Sequence, residues 1–151
     1  MRGISLFVSQ LADRYPAIQS IWMIGDRADG DVLDSHGPFE WDLVAFADQP
    51  TLRRLRSATD LHRADVLLRV VTDGDRFEVP WGEQLSGSLY QWDWRQATET
   101  EAYYSEARWT LPMKAGNVER TRRRATCVWQ SAPAGASRYA PAPMYRGGDS
   151  L

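Results

Sequence analysis

A single cysteine, Cys127, among 151 residues excludes an internal disulfide and any metal site built from several thiolates. Long apolar runs are also missing. None approaches the roughly 20 residues that a bilayer-spanning helix needs, so no membrane span is expected. The opening stretch, MRGISLFVSQLADRY, has too short an apolar part for a signal peptide. Asp13 and Arg14 interrupt it, and no small-residue cleavage site follows. These absences point to a cytoplasmic protein. An overall excess of positive charge is lacking too, since the net charge is −2. Residues 1–110 hold 11 Arg against 18 Asp or Glu, a net of −7. Residues 111–151 hold one Lys and six Arg against two acids, a net of +5. An acidic body does not neutralise phosphates, so nucleic-acid binding is not expected of it. It is compatible with divalent cations, which attract anionic substrates once bound.

What is present fits one globular domain followed by a tail. Ile4, Phe7, Val8, Leu11, Ala12 and Tyr15 recur at helical spacing and predict a helix over 3–15, ended by Pro16. AIQSIWMIG predicts a strand closing at Gly25. Residues 26–39 are rich in Gly and Asp and predict loop. EWDLVAF predicts a second strand, PTLRRLRSATDLHR a helix and ADVLLRVV a third strand. RFEVPW predicts an edge strand, because Pro80 cannot donate to a ladder. ETEAYYSEARW predicts a helix capped by Thr98 or Thr100. The expected fold class is therefore α/β (α+β), a small mixed sheet with helices packed on it over residues 1–110. Residues 111–151, rich in Arg, Pro, Ala and Gly, are expected to be a disordered basic tail. It would carry Cys127 and the RTRRR run at 120–124.

The segment WMIGDRADGDVLDSHGPFEWDLVAF raises the chemical question. Glu40 and Asp42 are two apart on a predicted strand, so both side chains leave the same face. Trp41 and Leu43 point the other way, into the core. Asp65 opens the third predicted strand, where it can join the pair. Carboxylates gathered on a core-forming strand repel one another and lose hydration unless a cation compensates them. Mg²⁺ or Mn²⁺ held by a few carboxylates and substrate phosphates would serve. Among the remaining groups, His36 is expected to be a solvated loop residue and His62 to satisfy carbonyls at a helix end. The aromatic residues from Trp81 to Trp109 either stack a nucleobase or cover the far side of the sheet, and the second is the expectation.

These residues, in this order, resemble the signature of the DNA polymerase beta-like nucleotidyltransferase superfamily, in particular its small bacterial members. Gly25 matches the family glycine at the end of an apolar strand. Arg27, Ala28 and Gly30 match the turn that follows. Glu40 and Asp42 match the acid pair, and Asp65 the third acid. The resemblance is looser to about residue 110. It implies two-metal transfer of a nucleoside monophosphate from NTP to an acceptor hydroxyl. Glu40, Asp42 and Asp65 would ligate the metals and form the catalytic set. Gly25, Asp26 and Arg27 would meet the nucleotide. The family's serine is Asp26 here, and an ionised aspartate cannot donate to a phosphate. The alternative expectation is therefore a catalytically inactive binding module, or a toxin–antitoxin-type partner protein docked through the aromatics of 81–109.

Overall fold

The computed structural model describes residues 2–25, 41–82, 84–109 and 118–131. Helix α1 spans Arg2–Arg14, and its spacing buries Ile4, Phe7, Val8, Leu11 and Ala12 on one stripe. Strand β1, Ser20–Ile24, follows. Strand β2, Trp41–Phe46, pairs with it antiparallel, placing Ile24 opposite Asp42. Helix α2 spans Gln49–Ser57. The Asp48 carboxylate caps it by accepting from the Thr51 amide at 3.0 Å, and Pro50 sits in the first turn. A short 3-10 turn, Thr59–Leu61, leads to β3, Val66–Thr72. This strand runs parallel to β2, the arrangement that a helical crossover permits.

The second half of the chain is strand after strand. β4 (Arg76–Glu78) and β5 (Ser86–Ser88) extend the sheet beyond β3. β6 (Arg95–Gln96), β7 (Glu101–Trp109) and β8 (Val118–Gln130) extend it on the other side. The order is β5-β4-β3-β2-β1-β8-β7-β6. The two edge strands are the short ones, which limits the unpaired backbone offered to other chains. The expected α/β domain with helices packed on a small sheet is thus overturned. Among the described residues the fold is mostly β, a curled eight-stranded mixed sheet in the form of a half-barrel, with two short helices.

Two segments account for the difference. The helix expected in ETEAYYSEARW is β7. Ala102 and Tyr104 are buried while Tyr103 between them is exposed, a period of two despite the Glu and Ala content. The stretch expected to be tail contains β8, which lies between β1 and β7 and pairs with both. Ala125 and Cys127 turn inward and Arg123 is half-buried, whereas Arg122 and Arg124 are exposed. The strand is hard to see because one half-buried residue is an arginine. Its charge is compensated across the sheet, where the Arg123 guanidinium donates to Glu106 at 2.7 Å. Cys127 is half-buried, and burial pushes its thiol up to about 11.

The two faces of the sheet bury separate cores. Helices α1 and α2 cover one, where Leu11, Leu52 and Leu55 meet Ile21, Leu43, Leu68 and Val70. The other face carries no helix among the described residues. It is filled by Trp22, Val44, Phe46, Phe77, Leu89, Trp94 and Tyr104. Trp22 and Trp94 meet edge to face with centroids 5.5 Å apart. The expectation that the aromatics cover the far side of the sheet matches the packing of Trp92, Trp94 and Tyr104. Trp81 lies in the helix-side core, where His62 stacks on it at 5.7 Å rather than capping with its ring. Tyr90 and Tyr103 are the exposed aromatics among the described residues. Trp81, Trp94 and Tyr104 are buried and offer no surface to a partner. No helix among the described residues is long and apolar enough to cross a membrane.

Candidate functional site

Gly25 ends β1 with φ +84°, a left-handed conformation that an L side chain adopts only with strain. Its amide donates to the Tyr104 hydroxyl at 2.9 Å, tying the end of β1 to β7. Beside it, β2 presents Asp42 on the face without helices. A Cβ added at Gly25 would lie 3.7 Å from the Asp42 Cβ, so the two positions are in close approach.

The cation that compensates Asp42 is a side chain. Arg69, in the middle of β3, donates through Nη1 to Asp42 Oδ1 at 2.5 Å. Its guanidinium lies 5.0 Å from the Trp92 ring centre and 5.6 Å from that of Phe77. Cation–π attraction to these rings offsets part of its lost hydration. The side chains of Arg69 and Asp42 retain 15% and 30% exposure. Arg69 Nε is buried with no hydrogen-bond partner among the described residues. Burial pushes the Asp42 carboxyl above its ordinary value, Arg69 pulls it back, and the nearby Glu106 carboxylate adds a smaller upward push.

Around this pair the curled sheet forms a cavity of about 650 Å³, lined by residues that include Gly25, Asp42, Arg69, Gln91, Trp92, Tyr104, Glu106 and Arg120. Arg69 on β3 and Glu106 on β7 share it although three strands separate theirs, so the sheet closes toward this face. Burial pushes the Tyr104 phenol well above its ordinary value, which keeps its proton in place.

Of the residues expected to form the site, the structure brings together Gly25 and Asp42. Asp65 precedes β3, and its carbonyl accepts from the Trp41 amide at 3.0 Å, so its backbone is next to β2. Its carboxylate, however, is gripped by Arg63 through Nε at 3.0 Å and Nη2 at 2.7 Å. These bonds hold it below the usual carboxylate range, and Asp65 does not line the cavity. Asp26, Arg27, His36 and Glu40 lie outside the described residues. Among the described residues no three of Asp, Glu, His and Cys gather as a metal site. Asp42 and Asp65 do not fit Mg²⁺ or Mn²⁺ as they stand, because each already has a guanidinium beside it that repels a divalent ion.

Arg69, Trp92, Tyr104, Glu106 and Arg120 were not among the expected site residues. One signal for Arg69 is in the sequence. A charge inside the apolar run VLLRVV needs compensation by the same reasoning that singled out Asp42. Tyr104, Glu106 and Arg120 reach the cavity through the pairing of β7 and β8, and Trp92 from the turn before β6, where its carbonyl accepts from the Ser105 amide at 2.7 Å; no local pattern announces either. The chain was compared with protein-family models, curated proteins and solved structures, and none of them matches.

Proposed function

We propose that this chain is a nucleotide-binding module whose site is the cavity beside Gly25 and Asp42, and that binding needs no divalent ion. The observation that carries this reading is the Asp42–Arg69 ion pair. It supplies internally the positive charge that a metal would bring to the acid. The cavity, at about 650 Å³, is of the size that holds a small ligand. Trp92 gives it an aromatic wall, and Arg120 a guanidinium for phosphate. The glycine-to-acid order of residues 25–42 supports a nucleotide as the ligand class through its resemblance to the nucleotidyltransferase signature.

Transfer of a nucleoside monophosphate from NTP to an acceptor hydroxyl is the second reading. The close approach of Gly25 and Asp42 favours it, as that resemblance expects. Calorimetric titration with adenosine nucleotides, with and without Mg²⁺, separates the two. A binding module binds equally in both conditions. It keeps its affinity within a few-fold in Asp42→Asn, where the amide oxygen still accepts from Arg69. Binding that requires Mg²⁺ and disappears in Asp42→Asn would overturn the module in favour of the transferase.

A further inference from the structure

The charges lining the cavity restrict what it can take, and this inference rests on the reading of the cavity as a nucleotide site. Two carboxylates face it, Asp42 and Glu106. Each is paired, Asp42 with Arg69 at 2.5 Å and Glu106 with Arg123 at 2.7 Å. Arg123 is not itself in the lining and retains 11% side-chain exposure. Arg120 is different. It is exposed, it lines the cavity, and its side chain has no ion pair or hydrogen bond to another described residue. The described lining thus holds two carboxylates and two guanidiniums, and Arg120 is the guanidinium among them without a carboxylate partner among the described residues.

A second unclaimed group is the Tyr104 hydroxyl. Its oxygen accepts from Gly25, and its own hydrogen has no acceptor among the described residues. The phenol is a donor available to a ligand atom that accepts.

We propose that the cavity selects a ligand with one anionic group, a nucleoside monophosphate rather than a triphosphate, with Arg120 receiving the phosphate and the Tyr104 hydroxyl donating to a neutral acceptor of the nucleoside. A triphosphate brings several negative charges against one free guanidinium and two nearby carboxylates. The extra charges meet repulsion without further compensation. A monophosphate brings fewer charges into that repulsion, and the planar fork of the guanidinium suits two of its oxygens.

Calorimetry on the full chain without Mg²⁺ tests this with adenosine, adenosine monophosphate and adenosine triphosphate, on the wild type and on Arg120→Gln. The monophosphate is expected to bind at least tenfold more tightly than the triphosphate. In Arg120→Gln the monophosphate should lose at least tenfold, while adenosine stays within twofold. Arg120 is exposed, so an unchanged melting temperature will confirm that the variant folds. Triphosphate binding as tight as that of the monophosphate, or an Arg120→Gln variant with undiminished monophosphate affinity, overturns this proposal and leaves the nucleotide-site reading standing. Absence of binding by all three ligands overturns both.

Discussion

Arg69 and Asp42 are each costly where they stand, and each is tolerable because of the other. Breaking a buried pair by removing one partner costs about 3–5 kcal/mol, since the remaining charge is stranded. Asp42 keeps 30% side-chain exposure, which lowers the expectation for Arg69→Met to roughly 2–4 kcal/mol at pH 7. The pH dependence has a definite sign. Asp42 already titrates above its ordinary value of 3.8 in the folded state, and loss of Arg69 raises it further. A carboxyl raised by folding favours the folded state at pH below its unfolded value. That contribution is lost as pH rises through the folded value. The deficit of Arg69→Met should therefore be small near pH 4 and grow toward pH 7. Urea denaturation across that range measures it. A deficit that is flat with pH would mean that Asp42 is not the group left stranded.

Between single residues and the whole sheet, the short strands β4 and β5 hold the Arg69 side of the cavity. Gly87 on β5 lies opposite Phe77 on β4. A Cβ at position 87 would lie 2.7 Å from Phe77 Cζ, closer than packed atoms tolerate. Phe77 is buried and flanks both Arg69 and Trp92, so it has little room to retreat. Gly87→Ala should cost about 1–3 kcal/mol, the usual range for overpacking. It should also weaken ligand binding, because displaced Phe77 pushes on the Arg69 guanidinium. Thermal melting paired with a titration checks both effects. A fully stable variant would show that β5 can move away without consequence. Elements with a strong local signal were the legible ones. α1 announces itself by a stripe at 3.6 spacing, α2 by Pro50 at its start, and β1 to β3 by runs of Ile, Val, Leu and Trp. β7 was misread because Glu and Ala favour helix locally, whereas its pairing with β8 imposes a strand.

At the scale of the molecule, β8 is the strand that closes the architecture. Ser20 on β1 pairs with Gln130, and Glu101 on β7 with Thr126. Both neighbours depend on a segment far along the chain. A chain cut after residue 110 loses β8 and strands β7. It should fail to give a cooperative thermal transition and should aggregate through the exposed edge of β1. A chain cut after residue 131 keeps every described strand, including the bond from the Ser131 amide to the Gln19 carbonyl at 3.0 Å. It should melt cooperatively, because β8 still lies between β1 and β7. Circular dichroism melts of the two truncations decide this, and a cooperative transition in the shorter chain would remove β8 from its central role.

The sequence by itself determined the local events: helix α1, the strand ending at Gly25, the acid that follows on β2, and the capped helix before β3. Each is encoded by side chains within a few residues of one another, through periodicity, capping and turn chemistry. It also posed the problem of a carboxylate at position 42 and the need for a cation. Only the tertiary structure decided which cation. Arg69 meets Asp42 because β3 lies beside β2, and Trp92, Tyr104, Glu106 and Arg120 meet them because the sheet curls. Those contacts join segments distant in sequence, and no local propensity carries that information. The stability of a buried charge depends on its neighbours in space, so the partner of Asp42 could be identified only after the strands had been placed side by side.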